Sequence, residues 1–294
     1  MPKLPLFALA LSAAVLIPTL ARAGAKPAQS ENQISGLGEI WLGYSFLSPD
    51  NITPDDENYP DLGGVFRVNI PAGGALNVQL DLQSEAAFVD DSTENYAGSV
   101  LGGAHFSFRD PSEWLAGGFI GVGNGFNASD DTVTAWLIGA EGQYYCVDWT
   151  FYGQLGYMDA DEVDPGTPDA FRDAWFGRGV VRHFFAPNVK LEGELSFAAG
   201  EQDTTSGDMD VWGWGLRYER AISDMDASFF LAYQGNHYDS SADAVDDKLT
   251  EHVLKLGLSF AWGIEGQKFV DRHGATLDLP MVTRWSAYGV DVVD

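Results

Sequence analysis

The segment that decides the fold is Leu76-Asn77-Val78-Gln79-Leu80-Asp81-Leu82-Gln83, in which apolar and polar side chains alternate strictly. Successive side chains on a β-strand point to opposite faces, so this alternation predicts a strand with one apolar and one polar face. Val189–Phe197 and Val211–Glu219 alternate in a similar way. The sequence therefore predicts a β-protein whose strands separate an apolar environment from a polar one.

Twelve segments of this kind can be marked along the chain. They are Leu37–Phe46, Gly63–Ile70, Ala75–Ser84, Tyr96–Arg109, Trp114–Val122, Thr132–Tyr144, Trp149–Met158, Phe171–Phe185, Val189–Ala198, Val211–Arg220, Ser228–Asn236 and Glu251–Trp262. Most of them are near ten residues long, which is the length that a tilted strand needs to cross a bilayer.

The connections between these segments alternate in length. Short turns follow the even-numbered strands, and longer polar loops follow the odd-numbered ones. Short turns at one rim, long loops at the other and an even strand count are typical of a transmembrane antiparallel up-and-down β-barrel. The predicted fold is therefore all-β, with about twelve strands, short periplasmic turns, long acidic extracellular loops and both termini on the periplasmic side.

The N-terminus has the features of an export signal. Lys3 precedes an apolar stretch over residues 4–20, and Ala21-Arg22-Ala23 follows as a cleavage site. This pattern predicts a signal peptide over residues 1–23 that is removed on export. The remaining organisation is a short lead over 24–33, a barrel over 34–262 and a tail over 263–294. The tail either remains periplasmic or enters the lumen as a partial plug.

Composition excludes several classes of function. The chain has 16 Lys and Arg against 43 Asp and Glu, with a pI near 4.2, and nucleic acid requires clustered basic residues. The single Cys excludes an internal disulfide framework and a multi-cysteine zinc site. We therefore expect neither a nucleic-acid partner nor a structural zinc ion.

Side-chain parity assigns the two faces of each strand. Lipid cannot satisfy a charge, so the apolar parity is predicted to face outward. This outward set contains Ile40, Leu42, Tyr44, Phe66, Val68, Val78, Leu80, Leu191, Trp214 and Leu256. Aromatic residues near the short turns are predicted to form an interfacial girdle; they are Phe108, Trp114, Tyr144, Trp149, Phe185, Tyr218, Phe229, Phe260 and Trp262.

The opposite parity predicts a charged lumen. Its members are Glu39, Arg67, Asp81, Arg109, Glu141, Arg178, Arg182, Lys190, Glu192, Glu194, Arg217, Glu219, Glu251 and Lys255. One interpretation is a hydrated pore whose basic and acidic side chains set selectivity. The other is an internal network of salt bridges that braces a closed barrel.

The long loops hold more than half of the acidic residues. Oxygen clusters of this kind bind hard divalent cations, so Ca²⁺ or Mg²⁺ is a candidate bridge between these loops, or from them to lipopolysaccharide. Asp159, Asp161 and Asp164 are the weak calcium candidates, although their spacing departs from that of an EF-hand. Plain solvated loops are the alternative, and no other cofactor is expected.

The sequence gives little support for catalysis. His105 and Ser107 share one face of a predicted strand, but their parity places them inside, where a lumenal pair cannot reach an acyl chain. The chain contains no G-x-S-x-G or H-E-x-x-H motif. We therefore predict that the protein is not an enzyme.

Over residues 33–262, this pattern resembles the Gram-negative outer-membrane β-barrel proteins, in particular porin-like barrels. Such barrels often end on an aromatic residue; Phe260 and Trp262 occupy that place here, although the chain continues to Asp294. The resemblance implies an outer-membrane location, contact with membrane lipid and lipopolysaccharide, and transport. The resulting hypothesis is a monomeric or oligomeric channel for passive diffusion of small hydrophilic solutes. The alternative is a closed structural or surface-interaction barrel that acts through its acidic loops.

Overall fold

A computed structural model describes residues 33–49, 58–88, 96–126, 132–162, 171–202, 207–222, 225–241, 247–264, 266–282 and 284–285. The predicted signal peptide lies outside the described residues. The strands are β1 Ser35–Pro49, β2 Asn58–Gly73, β3 Leu76–Phe88, β4 Tyr96–Asp110, β5 Trp114–Phe126, β6 Thr132–Cys146, β7 Trp149–Glu162, β8 Phe171–Ala186, β9 Val189–Gln202, β10 Gly207–Ala221, β11 Ala227–Ser240 and β12 Asp247–Trp262. One helix follows them, α1 Gln267–His273.

The twelve strands form a closed antiparallel barrel in which each strand pairs with its neighbours in sequence. The ring closes where β1 pairs with β12, from Gly36 opposite Trp262 to Pro49 opposite Leu249. The predicted twelve-stranded up-and-down barrel is therefore confirmed. No helix in the described part of the chain has the length and apolar character to cross a membrane.

The strands are longer than predicted. They run over 13 to 16 residues, because the backbone ladder continues past the point where the apolar alternation ends. Several acidic residues assigned to loops lie on strands instead: Asp61, Glu85, Asp159, Asp161, Glu201, Asp208, Asp210 and Asp239. The prediction of uniformly long loops after odd-numbered strands is also wrong at one place, since the β9–β10 connection (203–206) is shorter than the β10–β11 connection (222–226).

The outer surface carries aromatic side chains at two levels. The predicted residues near the short turns include Phe108, Tyr144 and Phe185, which are all exposed. A second level, which the sequence analysis did not identify, lies toward the other rim and contains Tyr44, Phe46, Trp136, Tyr157, Trp175, Phe197 and Trp212. On β6, Trp136 and Tyr144 are separated by about 27 Å of strand, or about 20 Å along the barrel axis at a tilt of about 40°. Two levels at this spacing bound an apolar band of membrane height.

The inner surface differs from the prediction on the side away from the short turns, which we call the loop side. There the inward-facing residues are mostly apolar and form one buried cluster. This cluster, called the apolar chamber, is Leu47, Tyr59, Ala87, Leu101, Phe119, Leu137, Met158, Phe171, Ala174, Phe176, Ala198, Met209, Val211, Tyr238 and Leu249, together with Leu279, Val282 and Trp285 from beyond β12. The expectation that inward parity is uniformly polar is therefore wrong. Strands such as β5 are apolar on both faces, with Phe119 inside and Ile120 outside, so parity gave no signal there.

The outward assignment can be tested at Leu256, which lies near mid-strand and is 62% exposed. A charge at the lipid midplane costs about 2–4 kcal/mol. Leu256→Lys is expected to lower the free energy of unfolding in lipid vesicles by about this amount, measured by urea titration of intrinsic fluorescence. Leu256→Met, which keeps the side chain apolar, should change it little; equal stability of both variants would contradict a lipid-facing position.

Candidate functional site

The structure places all fourteen predicted lining residues on the inner wall. They are Glu39, Arg67, Asp81 and Arg109 on β1 to β4; Glu141 on β6; Arg178 and Arg182 on β8; Lys190, Glu192 and Glu194 on β9; Arg217 and Glu219 on β10; and Glu251 and Lys255 on β12. Their role in selectivity stays a prediction.

Several of these groups pair across the lumen. Arg217 on β10 donates to both carboxylate oxygens of Glu39 on β1, at 2.6 and 3.1 Å. Arg217 also donates to Glu219, which lies 3.0 Å from the ammonium group of Lys190. Since β1 and β10 are not adjacent, the Arg217–Glu39 pair bridges the interior.

The lumen is occupied by the chain beyond β12. Residues 263–264, 266–282 and 284–285, called the C-terminal segment, begin at the short-turn rim and continue into the barrel interior. Gly263 and Gly266 have φ values of 82° and 87°, in the left-handed region that favours glycine. These two glycines allow the chain to leave β12 and turn back into the lumen.

The first attachment of the C-terminal segment is α1 at the short-turn rim. Lys268 forms a 2.7 Å ion pair with Asp148 in the β6–β7 turn, and Arg272 donates to the carbonyl of Val147. On the inner side, Arg109 donates to the carbonyls of Gly274 and Arg272, at 2.9 and 3.4 Å. A cation at a helix C-terminus is favourable because the last carbonyls lack partners within the helix.

The second attachment is made by two carboxylates of the C-terminal segment. Asp271 accepts hydrogen bonds from Arg182 at 2.9 Å and from Thr150 at 2.6 Å. Asp278 lies 2.7 Å from Arg178 and 3.8 Å from Arg182. Both arginines also pair with wall glutamates, so each guanidinium lies between a wall carboxylate and a carboxylate of the C-terminal segment.

The third attachment is Arg284 on the loop side. Its guanidinium, with an exposure of 1%, forms ion pairs with Glu85 on β3 and Glu251 on β12. The next residue, Trp285, is 3% exposed and packs edge-on against Phe176 with ring centroids 6.3 Å apart. The end of the described C-terminal segment is thus held by charge on one side and by apolar contacts on the other.

Two lumenal cavities lie beside the C-terminal segment, mainly against β9 to β12 and β1 to β3, and their walls combine charged, polar and apolar side chains. The loop-side cavity has a volume of about 180 Å³, and the cavity nearer the short turns has about 160 Å³. Both are lined by Glu39, Arg67, Glu192, Arg217 and Asp278. The two cavities therefore approach each other at this shared layer of charged side chains.

Sequence reasoning did not identify Asp271, Asp278, Arg284 and Trp285 as lumenal. Outside a short alternation over residues 275–279, their segment lacks strand periodicity, so parity could not place them. The one available signal was that the apolar residues Ala275, Leu277 and Leu279 lie two positions apart, as on one face of a strand. All three are buried in the structure.

His105 and Ser107 both lie inside the barrel, and both are buried. The Nδ1 atom of His105 is 2.8 Å from Glu141, and its Nε2 atom is 3.3 Å from Asp81. Both ring nitrogens therefore face carboxylates rather than a serine nucleophile.

Two of the three calcium candidates, Asp159 and Asp161, lie apart from the lumen. Asp159 and Asp161 are on β7, while Asp164 lies outside the described residues. Within the described ranges, no three His, Cys, Asp or Glu side chains are arranged to hold a metal ion. Cation binding at the loops stays a prediction.

Comparison with known proteins gives a fold. No family model and no curated protein matches the chain. Among solved structures, an outer membrane channel from Pseudomonas putida F1 is 11% identical, with a TM-score of 0.53 over 82% of this chain and 100% of that one. The translocator domain of the autotransporter NalP from Neisseria meningitidis is 10% identical (TM-score 0.47; 86% and 95% covered), and so is the NanC porin (TM-score 0.45; 74% and 98% covered). The chain therefore shares the β-barrel fold of the outer membrane channel from Pseudomonas putida F1.

The ion pair at the short-turn rim gives a pH prediction. The hydrogen bond from Lys268 lowers the pKa of Asp148 below its usual value of 3.8. A carboxylate with a lowered pKa contributes its full stabilisation above the ordinary pKa and loses it as the pH falls through the lowered value. The rate of hydrogen exchange at the α1 amides, corrected for intrinsic rates, should therefore be constant from about pH 8 to about pH 5. Below about pH 4 this corrected rate should rise above that baseline.

Two variants distinguish loss of the Asp148–Lys268 ion pair from a general destabilisation of the protein at low pH. Asp148→Asn should speed α1 exchange at neutral pH because it removes the charge opposite Lys268. Asp110→Asn, in a turn where the carboxylate accepts bonds from Ser112 instead, should leave α1 exchange unchanged. Equal exchange in all three proteins would contradict attachment through Asp148.

Proposed function

We propose that this chain is an outer-membrane channel that admits small hydrophilic solutes through a lumen narrowed by its own C-terminal segment. The observation that carries the proposal is the pair of lumenal cavities, of about 180 and 160 Å³, that share one set of charged lining residues. Charged side chains that line both cavities can keep a path beside the C-terminal segment hydrated. Exported barrels of this shape are found in the outer membrane, which supports that location for this chain.

The charge of the interior supports a preference for cations. The fourteen predicted lining residues carry equal numbers of basic and acidic groups. Among the described residues, the structure adds the buried or lumenal carboxylates Asp61, Glu85, Asp271 and Asp278, and the guanidinium of Arg284. The interior therefore carries more negative than positive groups. Acidic side chains on the loop-side strand ends add further negative charge, and an acidic entrance raises the local concentration of cations.

The layer of charged residues shared by the two cavities sets the selection. Solutes that pass between the two cavities must pass Glu39 and Arg217, whose ion pair crosses the lumen. Opposite charges facing each other create a transverse field, which favours small, well-hydrated solutes over apolar ones. No chemical step is required for this function.

The apolar chamber favours a second candidate function. Leu279, Val282 and Trp285 pack among inward-facing residues contributed by strands all around the barrel. A dry cluster of this kind supports a closed barrel that acts through its acidic rim, with divalent cations as bridges to lipopolysaccharide. The two candidates differ in whether purified, folded protein conducts ions.

Recording in planar bilayers separates the candidates. Full-length protein is expected to give small, stable conductance steps in KCl, with a reversal potential that favours K⁺ over Cl⁻. Glu39→Gln should shift this potential toward anions because the lumen loses one negative charge and Arg217 loses one of its two carboxylate partners. Glu113→Gln, which removes the same charge from an exposed short turn, is the matched control and should have a smaller effect. A silent bilayer that contains correctly folded protein would contradict the channel and support the closed barrel.

A further inference from the structure

The loop side of the lumen combines two features that a ligand site requires. The first is an unusual group of buried carboxylates: Asp61, Glu85 and Glu251 are 2%, 4% and 1% exposed. On the wall, the basic group among them is Lys255, which lies 2.8 Å from Glu85. Buried carboxylates that outnumber the wall cation favour a further cation beside them, because an uncompensated buried charge is strongly unfavourable.

The second feature is the apolar chamber beside these carboxylates. Outer-membrane barrels normally have polar interiors, yet here Phe176, Met209, Val211 and Leu249 are buried and face inward in one cluster. A chamber with a carboxylate group at one edge and an apolar wall fits a molecule with a cationic end and a ring. Neither feature alone specifies that combination.

In this structure the two features are filled by consecutive residues of the C-terminal segment. The guanidinium of Arg284 pairs with Glu85 and Glu251, and its Nε donates to Glu251 at 3.1 Å. Glu251 is oriented by Asn236 at 3.0 Å and Tyr59 at 3.4 Å. The indole of Trp285 packs in the chamber. Arg284 and Trp285 thus present a cation and an aromatic ring side by side.

We propose that this chamber is a binding site for small organic cations that carry an aromatic ring, and that Arg284 and Trp285 occupy it as the chain's own stand-in for that ligand. The site deepens the proposed channel function and rests on it for access. The 180 Å³ cavity is lined by Glu85, Lys255, Asn236 and Trp285, so a ligand in that cavity lies directly against the site. Displacement of Arg284 and Trp285 joins the cavity and the chamber into one space.

The test uses the full chain with Arg284→Ala and Trp285→Ala, purified in detergent and titrated by calorimetry. The probe is benzylguanidinium, and benzylurea is its neutral analogue of the same shape. The double variant is expected to bind benzylguanidinium at least about tenfold more tightly than it binds benzylurea, since only the guanidinium compensates Glu85 and Glu251. It should also bind the probe at least about tenfold more tightly than the unsubstituted protein, in which the site is filled.

A wall substitution assigns the binding to the proposed site. Addition of Glu251→Gln to the double variant should reduce benzylguanidinium affinity by about tenfold or more while benzylurea binding stays the same. Lys248→Gln is the matched outer-rim control, because Lys248 pairs with the exposed Asp239, and it should leave both affinities unchanged. Equal binding of the two compounds, or equal binding by substituted and unsubstituted protein, would overturn the proposal.

A second variant covers the case in which the double variant does not fold. Arg284→Ala alone retains Trp285 in the chamber and is titrated with methylguanidinium and methylurea. Preferential binding of methylguanidinium supports the site, and equal binding overturns it. Binding in detergent does not depend on conduction. A silent bilayer with intact binding would therefore contradict the channel alone. Absent binding with normal conductance would contradict this binding site alone.

Discussion

Closure of the backbone hydrogen-bond ring is the constraint on which the rest of the structure depends. In lipid no water satisfies an unpaired N–H or C=O group, so a sheet can cross the membrane only without edges. The pairing of β1 with β12 removes both edges. A ring of twelve strands is wider than the small barrels that side chains fill alone. The same closure that permits insertion therefore creates an interior that needs further contents.

The C-terminal segment supplies those contents by charge complementarity. Asp271 and Asp278 face Arg182 and Arg178, whereas Arg284 faces Glu85 and Glu251. Each of these wall charges lies in a poorly hydrated interior, where an unpaired charge costs far more than a paired one gains. The order of charges along the segment thus matches the positions of opposite charges along the barrel wall. This match fixes the depth at which the segment lies.

The strands could be predicted from sequence because their pattern is local. In β3, four apolar residues alternate with polar ones, and the lipid–water boundary imposes that period wherever the inner wall is polar. In β5 both faces are apolar, since Phe119 contacts the chamber and Ile120 contacts lipid, and the period disappears. Arg284 was beyond prediction for a different reason. Its partners, Glu85 and Glu251, are brought together only by barrel closure, which no local pattern encodes.

The apolar chamber on the loop side limits how this barrel can work. Ions do not cross the apolar chamber while Leu279, Val282 and Trp285 fill it, because nothing there replaces their hydration. In the proposed channel, conduction therefore follows the β9–β12 wall, past Glu39 and Arg217, or requires movement of the C-terminal segment. Gly263 and Gly266 provide the backbone freedom for such a movement, while Arg284 opposes it through two buried ion pairs. The strength of that attachment, rather than the diameter of the barrel, then determines how open the lumen is.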